Sequence, residues 1–301
     1  MRRSIIFLLA VCSASSLFAQ EDVPQYNPNS LNPIPRYEQL YKVKVWRDVR
    51  LDEKQNKGYF ARNNEITKLI MDAINSGELA DIYVNDSLTS KMAKEAMQKK
   101  LLISEAAKLD AWLPDNDYYA DDAVDFNGVS YKAKRDNRGK NPGTSADDWV
   151  KDASAAAGNY ARPYQLAALR VVEDVIFDKR RSRLYYDIQS ITLIWPGDKD
   201  NPLGGDLDIV TVRYKDLVQV FRNHPNDAIW FNRYNTAENK NYEEAFLLRL
   251  FHGVIYKVEN PDNETIYDVY SANNRPYKET VWAREWEEMK MMEREHNLWE
   301  Y

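Results

Sequence analysis

The stretch Ala168-Leu169-Arg170-Val171-Val172-Glu173-Asp174-Val175-Ile176-Phe177 decides the fold, together with the run Leu184–Trp195 that follows it. Both runs are rich in β-branched and aromatic residues, which fit the pleated surface of a strand. The charged link Asp178–Arg183 joins them, and Trp195-Pro196-Gly197 ends the second run. The sequence therefore predicts two consecutive strands separated by a short charged link.

More elements are predicted around these strands, within residues 164–301. They are a strand at Leu207–Arg213, a helix at Tyr214–Arg222, a helix capped by Asn241 and ended by Gly253, a hairpin of Val254–Val258 with Ile266–Tyr270, and a closing helix at Glu279–Tyr301. Capping residues before the helices and glycines after them indicate the boundaries. We predict that residues 164–301 form a C-terminal α+β domain that ends in an amphipathic helix.

Residues 37–113 show a second mixed pattern. Alternating apolar residues from Val43 to Leu51 predict a strand. The apolar stripe after Asn64 predicts a helix that Gly77 ends, and a further helix is predicted from Ser90 to Ile103. We interpret this segment as an N-terminal α+β unit.

Residues 114–163 differ in texture, because acidic, basic and turn-forming residues alternate there. Ser145-Ala146-Asp147-Asp148 has the pattern of a capping box before a short helix. We interpret the segment as an insertion or a connecting region. The predicted fold class is α+β, with mixed strands and helices in two units and an extended Pro-rich N-terminal arm.

The first residues have the order of an export signal. A basic head and the apolar run Ile5–Val11 are followed by small residues, by Leu17-Phe18-Ala19 and then by Gln20. This order predicts a signal peptide at 1–19, cleaved between Ala19 and Gln20. Cys12 lies in a sequence that resembles a bacterial lipobox, and lipidation of Cys12 is the alternative.

Residues 20–36 follow the predicted cleavage site. They contain four prolines interleaved with asparagines, which excludes a helix or a central strand. The prolines are Pro24, Pro28, Pro33 and Pro35. We predict an extended arm, which is either a disordered leader or a segment that lies on a neighbouring subunit.

Composition limits the classes of function. Of the 301 residues 29% are charged and 44% hydrophobic, as in folded soluble proteins. Loss of the basic head would change the formal charge from −6 to −8, which makes nucleic acids and anionic lipids poor partners. The single cysteine would leave with the signal peptide, so disulfides, thiolate metal sites and cysteine nucleophiles are excluded.

Residue types that carry chemistry occur without a recognisable catalytic arrangement. The three histidines lie in different predicted elements, and no phosphate-binding or nucleophile motif is present. Glu173, Asp174 and Asp178 offer paired carboxylates for acid–base catalysis, although such residues more often form surface ion pairs with Lys179–Arg183. We predict no catalytic residue, no cofactor and no metal site.

The last predicted helix carries an aromatic stripe. The chain has 20 Tyr and 8 Trp, which are residue types that dominate interface energetics. Apolar residues recur in this helix at spacings of three and four, on one face: Trp282, Trp286, Met289, Met292, His296 and Trp299. Such a stripe is usually a core contact, and a partner surface is the alternative. Trp286, Trp299 and the four arm prolines are our candidate interface residues.

Three motifs lie in order along the chain. The first is Val45-Trp46-Arg47, followed by Leu51, Glu53, Lys54 and Asn56. The second is Glu173-Asp174, followed by Phe177-Asp178-Lys179 and Ser182. The third is the terminal His296-Asn297-Leu298-Trp299-Glu300-Tyr301. In combination they resemble the GldN/PorN family, the periplasmic ring component of the Bacteroidetes type IX secretion and gliding motility system, although Val175 and Arg50 depart from the family pattern.

The resemblance implies a non-enzymatic structural subunit of a periplasmic ring that acts in type IX protein secretion and gliding motility. The implied partners are a ring-forming outer-membrane lipoprotein of the GldK/PorK type, neighbouring copies of the same chain and a periplasmic motor protein of the GldM/PorM type. The implied location is the periplasm, at the inner face of the outer membrane. Contact with the membrane is expected only through partners, and no nucleic acid partner is expected.

Two other classes stay open on the residues alone. One is a periplasmic hydrolase that uses the carboxylates around Glu173–Asp178, which requires a cleft with raised carboxylate pKa values. The other is a soluble glycan-binding or peptide-binding protein, which requires a concave aromatic platform on an isolated monomer.

The intact mass of the exported protein tests the predicted processing. We expect a lipid-free chain that starts at Gln20, with that glutamine cyclised to pyroglutamate, because the segment before it has the order of a cleavable signal. A lipid-bearing chain that starts at Cys12 would contradict this prediction and would remove the need for a lipoprotein partner.

Overall fold

The computed structural model describes residues 26–104, 109–119, 122–152, 159–199, 201, 204–271 and 275–299. The predicted signal peptide with Ala19 and Gln20, and Pro24 of the predicted arm, lie outside the described residues. Within the described residues, helices and antiparallel strands are mixed along the chain. The predicted α+β class is therefore confirmed.

The strands are numbered in chain order. They are β1 (Gln39–Arg50), β2 (Phe60–Ala61), β3 (Asn64–Glu65), β4 (Ile82–Tyr83), β5 (Leu102–Ser104), β6 (Asp117–Tyr118), β7 (Ala123–Phe126), β8 (Val129–Ala133), β9 (Asn137–Arg138), β10 (Trp149–Lys151), β11 (Asn159–Tyr160), β12 (Ala168–Asp178), β13 (Arg183–Trp195), β14 (Leu207–Arg213), β15 (Ile229–Trp230), β16 (Lys240–Asn241) and β17 (Val254–Val258). Strands β1, β12 and β13 are the long ones and lie side by side.

The helices are also numbered in chain order. They are α1 (Ile66–Ser76), α2 (Lys94–Lys100), α3 (Tyr214–Asn223), α4 (Tyr242–Leu247), α5 (Ile266–Ser271) and α6 (Tyr277–Trp299). Helix α1 ends at Gly77, whose φ of 86° lies in the left-handed region that favours glycine. Helix α4 begins at Asn241, whose side chain accepts a hydrogen bond from the Glu243 N–H. Both boundaries were predicted from these residues.

One six-stranded sheet organises the fold, in the order β17-β1-β12-β13-β14-β4. All of its pairs are antiparallel. Strands β12 and β13 pair from Ala168–Ile194 to Asp178–Arg183, so the two long apolar runs form one hairpin with the charged link at its tip. Strands β1 and β4 come from residues 37–113 and the other four from residues 164–301. Both predicted units therefore contribute to the same sheet.

The large core packs α1, α3 and α4 against one face of this sheet. Its fully buried members include Leu51, Ile70, Trp195, Phe221 and Tyr242. These residues are distant in sequence and come from the sheet and from all three helices. Since burial of apolar surface is the main favourable term in folding, this cluster is the main source of stability.

A second, smaller cluster lies on the same face of the sheet. It contains Val45, Val175, Ile255, Ile266, Ala283 and Met291. Ala283 and Met291 belong to α6, so the last helix packs here and not on the large core. Along β1, Val45 belongs to this cluster and Val49 to the large core. Because alternate residues of a strand share a face, Arg47 lies between the two clusters.

The segment 114–163 has a cluster of its own. Strands β10, β8 and β7 form a three-stranded sheet. The buried residues of the cluster are Tyr118, Val124, Tyr131, Ala133 and Trp149. The helix predicted after Ser145 is wrong over Trp149–Lys151, which form β10. Trp149 is buried in this cluster. Its ring packs edge-on against the ring of Tyr118, with 5.3 Å between the ring centroids. Burial of the indole outweighs the local capping signal.

The second half of the predicted hairpin at 254–270 is also wrong, because Ile266–Ser271 is helix α5. The hydroxyl of Thr265 accepts from the Asp268 N–H at 3.1 Å, and the Asp268 carboxylate accepts from the Thr265 N–H at 3.1 Å. These reciprocal bonds form a capping box, a pattern that favours a helix. The Thr-x-x-Asp pattern at 265–268 was therefore the signal that the sequence interpretation missed.

Asn56 is a fully buried polar residue that joins two loops. Its Nδ2 donates to the carbonyl oxygens of Arg50 at 2.7 Å and His252 at 2.8 Å. Its Oδ1 accepts from the His252 N–H at 2.8 Å. Asn56 thus fixes the end of β1 to the loop that leads into β17.

Asn56→Ala is expected to lower the free energy of unfolding by about 2 kcal/mol or more, because three backbone hydrogen bonds to a fully buried side chain are lost. Urea denaturation measures this loss. Gln55→Ala, at the exposed neighbouring position, is the control and should change stability by less than about 0.5 kcal/mol. Equal effects of the two substitutions would contradict the structural role of Asn56.

Candidate interaction surface and its buried charge network

Glu173 is a fully buried carboxylate between two arginines. Arg47 Nε lies 3.2 Å from Glu173 Oε1. Arg249 Nη1 lies 2.7 Å from Oε2, and its Nη2 lies 3.2 Å from Oε1. Burial by itself lowers the pKa of Arg47, but the charges of Glu173 and Glu288 raise that pKa above its ordinary value. The two guanidinium groups therefore compensate a carboxylate that would be very costly to bury alone.

A β-bulge shapes the sheet at Glu173. Val172 pairs with Ser190 and Glu173 pairs with Ile188, so Gln189 is an extra residue on β13. The extra residue allows Ile188 and Ile191, three positions apart, to enter the same large core. Without it, the alternation of β13 would place these two isoleucines on opposite faces.

Arg249 reaches Glu173 from an unusual backbone conformation. Helix α4 ends at Leu247, and Arg249 has a φ of 52°, in the region that glycine usually occupies after a helix. Its guanidinium carbon lies 3.9 Å from the centroid of the Tyr186 ring. Stacking and ion pairing offset a backbone cost of about 1–2 kcal/mol. The helix predicted to continue to Gly253 is wrong, because the chain turns at Arg249 towards Glu173.

Arg47 also connects the network to the last helix. Its Nη1 lies 2.8 Å from Glu288 Oε2 in α6 and donates to the Gly253 carbonyl oxygen at 2.9 Å. Further along α6, Arg294 Nη1 donates to the Tyr41 hydroxyl at 2.9 Å. Together with the small cluster, these bonds fix which side of α6 faces the sheet.

The apolar stripe of the last helix faces solvent. The exposed fractions are 62% for Trp282, 52% for Trp286, 54% for Met289 and 58% for Met292, and we call these four residues the α6 stripe. Thr280, Ala283 and Met291 form the buried side of the helix. The expected core contact is therefore wrong, since smaller residues pack on the sheet. Exposed apolar patches of this kind mark interaction sites.

Trp286 lies within the α6 stripe, and Trp299 is the last residue of the helix. The side chain of Trp299 lies outside the described part of the structure. His296 is exposed on the same helix. The structure thus gives Trp286 the accessibility that the candidate interface requires, and the interface itself stays a prediction.

The predicted arm lies against its own chain from Tyr26 onwards. Asn27 Nδ2 donates to Gln189 Oε1 at 2.7 Å and to Asp174 Oδ2 at 3.2 Å, and Ile34 is buried. The exposed prolines are Pro28 and Pro33, and Pro35 is half-buried. The described part of the arm therefore presents two of its candidate residues to solvent while the residues around them hold it in place.

The three carboxylates considered for catalysis are buried and do not share a cleft. Glu173 faces the helices, whereas Asp174 points to the opposite face of β12 and lies 2.7 Å from Lys42 Nζ. Asp178 lies at the hairpin tip, 2.7 Å from Arg181. Burial alone would raise the pKa of Asp178. Hydrogen bonds from Arg181 oppose this effect, and the pKa lies below its ordinary value. A hydrolase would need accessible carboxylates with raised pKa values.

One neighbouring carboxyl has a raised pKa. Burial raises the pKa of Asp187 to about 6, and the charge of Asp174 contributes in the same direction. Gln189 Nε2 donates to Asp187 Oδ2 at 2.7 Å. Gln189, which donates to Asp187, also accepts from Asn27 of the arm, so Asp187 lies in the network that holds the arm.

The described residues contain no group of three or more histidines and carboxylates placed to hold a metal ion. His224 pairs with Glu78, and His252 lies 3.5 Å from Glu53. Over the same residues, no helix has the length and apolar character needed to cross a membrane.

These features define an α+β protein with an accessible aromatic face on its last helix. The model of the family described as gliding motility associated protein GldN matches residues 34–300. The chain therefore belongs to the GldN family. Comparison with curated proteins finds no match. The first two motifs meet in the structure, because Arg47 and Glu173 form the buried ion pair.

Arg249 is the residue of the buried charge network that the sequence interpretation missed. It is the single charge in the apolar run Leu247–Phe251. A lone arginine among apolar residues indicates a buried partner, since charged side chains are rarely buried unpaired. Its partner Glu173 was noted for its proximity to other carboxylates and as part of the second motif, but not as a member of a buried ion pair.

Glu173→Gln is expected to lower the free energy of unfolding by about 3–5 kcal/mol, because the buried arginines lose their counter-charge. Glu288→Gln is the matched control. Its side chain is partly exposed, and its loss should cost less than about 1 kcal/mol. Guanidinium denaturation of both variants tests the network, and a loss below 1 kcal/mol for Glu173→Gln would show that Glu173 has no such role.

Proposed function

We propose that this protein is a non-enzymatic structural subunit of the apparatus for type IX protein secretion and gliding motility. The observation that carries the proposal is the α6 stripe, in which every member is more than half exposed. The opposite side of the same helix is fixed to the sheet by the small cluster and by Arg47. Membership of the GldN family supports a role in gliding motility.

The α6 stripe binds a ring lipoprotein of the GldK/PorK type, with Trp286 and Trp299 in the contact. Tryptophan supplies large apolar contact area and is enriched among residues that dominate binding energy, and methionine adapts to irregular surfaces. At 100° per residue, Glu285 and Glu293 lie on the same side of α6 as the stripe, and both are exposed. The complementary surface is therefore apolar with basic groups at its rim.

The arm makes a second contact, through the outward-facing Pro28 and Pro33, with the lipoprotein or with a neighbouring copy. Proline segments lose little conformational freedom on binding, because their φ angles are already fixed. Copies of the chain associate side by side in a ring, and a motor protein of the GldM/PorM type is a further partner. The chain acts in the periplasm and reaches the outer membrane through the lipoprotein.

Trp286→Ala and Trp282→Ala are each expected to weaken binding of the lipoprotein by about 30-fold, which corresponds to about 2 kcal/mol. Stability should change by less than about 0.5 kcal/mol, because both side chains are exposed. Affinity is measured with the lipoprotein extracted in mild detergent, and thermal melting is recorded for each variant.

Tyr164→Ala is the matched control, since Tyr164 is a similarly exposed aromatic residue of another segment. The affinity of this variant for the lipoprotein should equal that of the unmodified chain. Unchanged affinity in both tryptophan variants would contradict the proposed interface. So would a loss of binding that is accompanied by an equal loss of thermal stability, because the tryptophans would then support the fold.

A further inference from the structure

A cavity of about 370 Å³ lies between the loop that follows β1 and the loop that follows β15. Its lining combines three aromatic and three basic side chains, namely Trp230, Phe231, Tyr234, Lys54, Lys57 and Arg233. We call it the Trp230 cavity. Neither the α6 stripe nor the arm contributes to its lining.

Backbone geometry builds this cavity. Gly58 lies against the Trp230 indole, and a Cβ at this position would collide with three indole atoms. The Phe231 N–H donates to the Gly58 carbonyl oxygen at 2.9 Å. The Asn232 side chain accepts from the N–H of Tyr234 at 3.0 Å and holds the following turn. The hollow is therefore preformed, as binding pockets usually are.

The charge of the cavity is not compensated by its surroundings. Within the described ranges, Lys54, Lys57 and Arg233 have no carboxylate at ion-pair distance. Tyr234 is 87% exposed, and the Arg233 guanidinium lies 5.5 Å from the centroid of its ring. A basic rim around an apolar hollow, in a chain of formal charge −6, suits a ligand that has an apolar tip flanked by carboxylates.

The same chain carries a loop with that chemistry at residues 113–118, which we call the acidic loop. The Leu113 side chain is 52% exposed, and Pro114 and Asp115 beside it are also exposed. The Tyr118 hydroxyl accepts from the Leu113 N–H at 2.7 Å and donates to the Leu113 carbonyl oxygen at 3.1 Å. Tyr118 thus closes the loop into a fixed projection.

Two carboxylates of this projection are available to a partner. Asp115 and Asp117 are both exposed. Asp117 lies 3.5 Å from Arg138, and both of these side chains are largely exposed. An ion pair of this kind contributes little to stability. Asp117 can therefore pair with a basic side chain of a partner in place of Arg138 at little cost in free energy.

We propose that the acidic loop of one copy of this chain docks in the Trp230 cavity of a second copy. Leu113 and Pro114 lie against the aromatic lining, and the two aspartates face Lys54 and Arg233. The inference rests on the self-association included in the proposed function and names the surfaces that carry it. Both surfaces are preformed, which lowers the entropic cost of binding.

The contact joins two different surfaces of identical chains. Each copy therefore offers both a cavity and an acidic loop, and the contact can repeat from copy to copy. Such heterologous contacts close into a ring or continue as an open chain. Electrostatic complementarity fixes which surface meets which.

Photo-crosslinking in the full exported chain tests this contact. A photoreactive phenylalanine derivative at Tyr234 is expected to form intermolecular crosslinks to the peptide that contains residues 113–118, identified by mass spectrometry. Arg233→Glu and Asp115→Arg should each reduce the crosslink at least about tenfold, since each opposes like charges across the contact. The two changes combined in one chain should restore the crosslink, because the charges are then exchanged.

Asp262→Arg is the control, because Asp262 is an exposed aspartate of a different loop, and it should leave the crosslink unchanged. Sedimentation of the same samples reports the oligomeric state. Oligomers whose crosslinks map away from 113–118, or a combined variant that does not recover, would overturn the docking proposal and leave the α6 proposal standing. A chain that sediments as a monomer throughout would overturn both the docking and the proposed self-association.

Discussion

The buried carboxylate of Glu173 meets two distant parts of the chain through Arg47 and Arg249. Arg47 belongs to the strand beside Glu173 and reaches on to Glu288 in α6, and Arg249 belongs to the turn after α4. On this face of the sheet the charged groups separate the large core from the small cluster. Since removal of one partner from a buried ion pair is strongly destabilising, the network fixes the positions of all these segments.

A fixed position for α6 has a functional consequence. The helix meets the sheet through Ala283, Met291 and a few polar contacts, which leaves its tryptophans outward. A helix that buried its largest side chains would gain more apolar burial. This chain instead leaves that surface accessible. Burial of the tryptophans against a partner would supply the free energy of apolar burial that the isolated fold does not gain. This arrangement supports the proposed role in assembly.

Much of the fold was predictable from local patterns. The β12–β13 hairpin, β14 and α3 follow from apolar-rich segments, and Gly77 and Asn241 mark helix boundaries through a positive φ and a capping hydrogen bond, respectively. Two of the errors have a common cause, whereas the helix at Ile266–Ser271 was signalled by the local pattern of Thr265 and Asp268. Trp149 becomes a strand residue and Arg249 ends a helix because of partners that are distant in sequence. Local propensity cannot include such contacts.

The candidate surface was predictable only in part. Periodicity placed the α6 tryptophans on one face, but it does not indicate which face of a helix meets the core. In the structure, the side that meets the core is the one that carries Ala283 and Met291, which pack in one cluster with Val45 and Val175. Family resemblance through Arg47 and Glu173 indicated the protein class without revealing that these two residues form a pair.

The central claim is that the α6 stripe is exposed in the isolated chain and covered in the assembly. Hydroxyl-radical footprinting with mass spectrometry measures this at each residue. We expect rapid oxidation of the stripe in the isolated protein and at least about tenfold slower oxidation in assemblies purified with the lipoprotein. Met291 should stay protected in both states and Tyr164 reactive in both. Equal oxidation of the stripe in the two states would contradict the account, as would a stripe already protected in the isolated chain.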